Sequence, residues 1–180
     1  MKNNCARGAS AFTLIETLIA ITLTTVVITA VTGLILSTLF ANQRNLHSLQ
    51  AMYLAEESLE AVRFMRDSNS LQNYSWNGGE ALWGANFDVS DGSEIELKLS
   101  EEEICPPCFS FTTSDTDATV TTDNGIEYLR TLTFKPVEDG DGNVLAGAVE
   151  VTATVSWSER ALPRSVELST YLTNWQGRLH

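Results

Sequence analysis

Glu16 is the side chain whose surroundings most demand a chemical explanation. It lies in Ala11-Phe12-Thr13-Leu14-Ile15-Glu16-Thr17-Leu18-Ile19-Ala20 and is the only charged residue between Arg7 and Arg44. Holding a carboxylate in such a stretch inside a bilayer costs about 2.5–3.5 kcal/mol on insertion scales. A charge kept at that cost calls for a positive partner, which makes Glu16 a candidate for ion pairing within lipid. The competing reading is an acid close to a helix end, with only four residues between it and the start of the apolar run, that reaches the headgroup layer.

Other groups of residues have spacings that could carry chemistry. Cys105-Pro106-Pro107-Cys108 has the C-x-x-C spacing of redox sites. Its neighbours are Glu101, Glu102 and Glu103 in a β-rich region, with no helix start to depress a thiol pKa. Zinc would need two further ligands, and the only imidazoles are His47 and His180. A structural disulfide between Cys105 and Cys108, closing a tight loop in an exported domain, is the expected role. Asp139, Asp141, Asn143 and Glu150 fall at positions one, three, five and twelve of a calcium loop. Position six, however, is Val144 rather than Gly, and the flanks alternate like strands. An acidic hairpin turn explains that segment better, and no metal site is expected. Trp76, Trp83, Trp157 and Trp175, with Phe109, Phe111 and Phe134, are expected to be mainly core, with Trp76 and Trp83 the candidates for a surface role. No Ser-His-acid, Cys-His or paired-carboxylate arrangement is present, so neither enzymatic chemistry nor a cofactor is expected.

The elements that must position these groups follow from hydropathy and period. Between Thr17 and Gln43 there is no charge, and Leu, Ile, Val, Ala and Thr dominate. Crossing a hydrocarbon core takes roughly 20 helical residues, so this run is long enough. Lys2 and Arg7 precede it and Glu56 and Glu57 follow, which leaves the N-terminus cytoplasmic and exports the rest. The run is too long for an ordinary secretory h-region. Its threonines can return their hydroxyls to the helix backbone, and Gly33 is a candidate helix break. Helical periodicity continues beyond the membrane, with Leu49, Met52, Ala55, Leu59, Val62 and Met65 forming one apolar stripe. Glu56, Glu60 and Arg63 allow spaced charge pairs on the other faces.

After residue 70 the period changes to two. Glu94–Leu99, Ile126–Val137, Val149–Trp157 and Ser165–Asn174 read as strands, and residues 70–92 and 112–124 as loops. Asp139-Gly140-Asp141-Gly142-Asn143 is hairpin chemistry. The fold class is therefore α+β, with a long N-terminal hydrophobic and then amphipathic helix packed on a small antiparallel sheet. The expected divisions are a leader at 1–11, a membrane helix at 12–43, its amphipathic continuation at 44–69 and an extracytoplasmic β-rich head at 70–180. Formal net charge is -12. That argues against nucleic acid as a partner and against anionic lipid as a partner for the head.

The leader, Phe12 and Glu16 together resemble the type IV pilin and pseudopilin family. Phe12-Thr13-Leu14-Ile15-Glu16, after a short basic leader and a small residue, matches the family's prepilin signal. The resemblance is strong over residues 1–41, weaker to residue 67 and purely architectural beyond. It implies that a prepilin peptidase cuts between Ala11 and Phe12 and methylates the new amine. It also implies that Glu16 pairs with the Phe12 amine of a neighbouring subunit during assembly. Partners would then be other pilin or pseudopilin subunits, the peptidase, an inner-membrane assembly platform and, before assembly, membrane lipid. Cleavage would also remove Cys5, leaving an even pair of cysteines. The chain departs from the family in carrying Ala11 where Gly is usual and Gly33 where many major pilins have proline. Ala55-Glu56-Glu57-Ser58-Leu59-Glu60-Ala61-Val62-Arg63 is similar to minor rather than major subunits. The rival reading is an uncut single-span membrane protein whose head binds a ligand or surface.

Overall fold

The computed structural model describes residues 13–71, 74–77, 87–102, 108–112, 114–122 and 125–175. One helix, α1 (Leu14–Leu71), is followed by six strands: β1 (Ile95–Glu102), β2 (Cys108–Thr112), β3 (Thr119–Thr121), β4 (Glu127–Glu138), β5 (Val144–Glu159) and β6 (Leu162–Thr173). The class is α+β, as composition and period required. The chain divides into two compact units, one ending at Leu46 and the other beginning at His47.

In the first unit α1 is apolar on every side, because Leu, Ile and Val recur without a polar face, and all its large hydrophobic side chains from Leu14 to Phe40 are exposed. It is long and apolar enough to cross a membrane. The helix is uninterrupted at Gly33, so that glycine does not break it. A Cβ at Gly33 would meet nothing within 4 Å, so close packing within this chain does not demand glycine there.

In the second unit α1 buries Ala51, Ala55, Ser58, Leu59, Ala61, Val62, Met65 and Asn69. This corrects the stripe read from the sequence. Ala55, Leu59, Val62 and Met65 are inside, but Leu49 and Met52 are exposed and Ala51 takes the inward position. The seam is built from small residues where the helix meets the sheet, which lets a helix backbone approach a flat β surface. The Ser58 hydroxyl is satisfied by the Leu54 carbonyl at 2.7 Å.

The strands form one antiparallel sheet of order β2-β1-β4-β5-β6, with β3 on β4. β1 and β3 share one edge of β4, pairing with its residues 131–134 and 127–129 respectively. Pro136 lies past the end of the β1 pairing, where a missing N–H costs no ladder bond, and a register shift follows it at Glu138. Alternation then sorts the side chains. Tyr128, Arg130, Leu132 and Phe134 of β4 and Val149, Val151, Ala153, Val155 and Trp157 of β5 all face the core. On β6, Val166, Leu168, Thr170 and Leu172 turn inward and Tyr171 outward, matching the expected faces.

The sequence reading missed two features. Phe87 and Val89, in a stretch read as loop, are buried, and Phe87 stacks on Phe134 with ring centroids 5.0 Å apart. β2 was also missed, although Phe109 and Phe111 alternate with polar residues there. The β5–β6 connection is a two-residue turn, because Glu159 pairs with Leu162. Both turn residues have positive φ, 53° at Arg160 and 65° at Ala161. Left-handed backbone at non-glycine residues costs about 1–2 kcal/mol each, so this turn is strained.

Candidate functional site

Glu16 occupies the first turn of α1, where its charge meets the positive end of the helix dipole. The turn is closed by the Thr13 carbonyl, which accepts the Glu16 N–H at 3.0 Å and the Thr17 N–H at 3.2 Å. The carboxylate stands exposed among exposed Leu14, Ile15, Leu18 and Ile19. Among the described residues no cation pairs with it.

The threonines around it behave differently. Thr17, Thr22, Thr24, Thr25, Thr29, Thr32 and Thr38 each donate a hydroxyl to a carbonyl three or four residues earlier, at 2.7–3.0 Å. Their polarity is consumed within the helix, as expected from the sequence. Glu16 has no such outlet, because a carboxylate can only accept and the carbonyls it faces have no proton to give. The exposed apolar helix therefore carries one unsatisfied charge near its start.

Ala11 and Phe12, the expected cleavage pair, lie outside the described residues. So do Cys105, Trp83 and the side chain of Cys108, so the expected disulfide falls there as well. The calcium candidates are separated. Asp139 Oδ1 accepts the Asp141 and Asn143 backbone N–H groups, each at 2.9 Å, and its Oδ2 accepts Asn143 Nδ2 at 3.2 Å. The Asn143 N–H, then its side-chain amide, then the Asp141 N–H hold the Asp139 carboxyl below its ordinary value. Those lone pairs close a hairpin rather than face a cation. Glu150 sits well inside β5 opposite Lys135. Among the described residues no three His, Cys, Asp or Glu side chains gather as metal ligands.

The second unit holds a polar site that the sequence signalled only through alternation. Arg130 occupies an inward position of β4 and is 1% exposed. Its Nη1 lies 3.3 Å from Glu57 Oε2 on α1, and its guanidinium sits over the Phe109 ring at 5.8 Å. Nearby helix turns add Arg63, which pairs with Glu60 and donates to Thr170 Oγ1 at 3.0 Å. Tyr128 OH makes long contacts to the His47 carbonyl, 3.4 Å, and Gln50, 3.5 Å. Burial first, and then the charge of Glu159, raise the Tyr128 pKa. These groups fix the helix register on the sheet and leave no cleft for a substrate.

Of the tryptophans, Trp157 is core, as expected, whereas Trp175 is exposed and donates Nε1 to Asp67 at 3.2 Å. Trp76 is partly buried, edge-on to Phe87 at 6.1 Å, which removes it as a free surface aromatic. No family model, curated protein or solved structure matches this chain.

Proposed function

We propose that this chain is a structural subunit, of the minor kind, of a type IV pilus or type II secretion pseudopilus. The observation that carries this reading is the partnerless Glu16 carboxylate on a helix whose apolar side chains are all exposed. Such a helix is stable in lipid only while its charge is tolerated, and a neighbouring subunit's amine would remove the cost. The Phe12-to-Glu16 spacing supports the same reading, since cleavage before Phe12 would create that amine at the head of the helix. The subunit would wait in the bacterial cytoplasmic membrane with its N-terminus inside. It would then join an extracellular or periplasmic filament through α1, contacting sister subunits and an inner-membrane assembly platform.

The mass of the mature N-terminus tests the proposal. A chain beginning at N-methylated Phe12 is the expected result. A chain that keeps Met1 when expressed with a prepilin peptidase overturns it and leaves the uncut anchor.

A further inference from the structure

We propose that the β5–β6 turn, Arg160-Ala161-Leu162-Pro163 with Arg164, is a membrane-resting foot that seats the head on the phosphate-bearing headgroup layer. The inference rests on the reading of α1 as a membrane span and adds a second lipid contact, one made by the head.

Three contacts set the direction of the sheet within the second unit. Tyr128, in register with Trp157, reaches His47 and Gln50 at the start of the helical seam. Arg63 meets Thr170 further along, and Asp67 meets Trp175 at the far end. β6 therefore begins at the His47 end, and the turn projects past Trp157 by roughly 10 Å at about 3.3 Å per strand residue. Six residues, 41–46, join His47 to Phe40 at the end of the exposed apolar run. Even fully extended, six residues span only about 20 Å, so this end of the head is held near the bilayer surface.

The chemistry of the tip suits that place. Leu162 is 58% exposed, and Ala161 and Pro163 are exposed beside it. Arg160 and Arg164 flank this apolar step, and guanidinium groups match phosphate oxygens in bidentate geometry while their stems pack on acyl chains. Glu127 and Glu159 lie at the same end, so the contact depends on insertion and phosphate hydrogen bonds more than on net charge. The backbone supplies an independent argument. A two-residue turn with both residues left-handed favours Asn-Gly, yet this one holds Arg and Ala at φ 53° and 65°. Strain retained in a tight turn points to side chains kept for a purpose other than turning.

The test uses the full chain in phosphatidylcholine–phosphatidylglycerol nanodiscs, with a fluorescent amino acid encoded singly at Ser158, Asn143 or Thr29. Headgroup nitroxide lipid should quench the Ser158 probe at least about twofold more than the Asn143 probe at the opposite end of β5, since interfacial contact reaches only about 5–10 Å. Acyl-chain nitroxide should quench Thr29. Equal quenching at Ser158 and Asn143 with Thr29 quenched overturns the foot and leaves the span standing. An unquenched Thr29 overturns the span and the foot together. Replacing the turn by Arg160→Asn with Ala161→Gly should raise the thermal midpoint of the head while lowering Ser158 quenching. A rise in midpoint with unchanged quenching contradicts the lipid role.

Discussion

The two halves of α1 are one helix built for different surroundings. From Leu14 to Phe40 large apolar side chains point outward on every side, and the threonines spend their hydroxyls on their own backbone. From Ala51 to Asn69 the inward residues are mostly small or medium-sized, and Glu57, Arg63 and Asp67 hold the helix to the sheet through polar contacts. A helix that buries one face against protein needs shape. A helix covered by lipid or by identical neighbours needs only apolarity and satisfied backbone. Glu16 departs from the first pattern, which is why the functional reading centres on it.

Mutations of matched chemistry sharpen this contrast. Phe134→Ala removes a ring that stacks on Phe87 and should cost the head about 3–5 kcal/mol in denaturant unfolding. Next, Ala55→Leu overpacks the seam and should cost about 1–3 kcal/mol. Val27→Leu, in the exposed half, should leave head stability unchanged; if both substitutions destabilise equally, the halves are not distinct.

A smaller effect is expected at the buried cation. Arg130→Met exchanges a desolvated ion pair for apolar packing of similar volume and should stay within about 1 kcal/mol of wild type. A loss several times larger would make the Arg130–Glu57 contact a principal support of the head.

The smallest effect concerns acid. Slight burial raises the Asp67 pKa, but hydrogen bonds from Arg66 and Trp175 outweigh it and leave the group below 3.8. A depressed folded-state pKa stabilises the fold above the unfolded value, and that contribution disappears as pH falls through the folded one. Asp67 is largely exposed, so the loss below about pH 4 should be roughly 0.5 kcal/mol or less. Trp175→Phe should shrink it, as read from thermal midpoints across acid pH.

Much of this architecture is legible from period alone. The inward faces of β5 and β6 are visible because every second residue is apolar, and the length of the apolar run is visible because no charge interrupts it. The seam was misread at Leu49 and Met52 because large apolar residues outrank Ala51 in a hydrophobic pattern, whereas close helix-on-sheet packing selects small ones. Phe87 escaped because a single buried aromatic in a stretch rich in Gly and Asn has no period to announce it. Arg130 was visible as an inward position, but its burial depends on Glu57, 73 residues earlier in the chain, and on Phe109. Glu16 was the clearest signal because charge in an apolar run is conspicuous without any knowledge of the fold.

The central claim, that Glu16 exists to meet a positive group on a neighbouring subunit, is tested most directly by Glu16→Val in cells assembling filaments. The account predicts membrane levels and head stability equal to wild type, with incorporation into sheared filaments reduced at least about tenfold, the loss of an ion pair in low dielectric. Wild-type incorporation of the Val variant would contradict it.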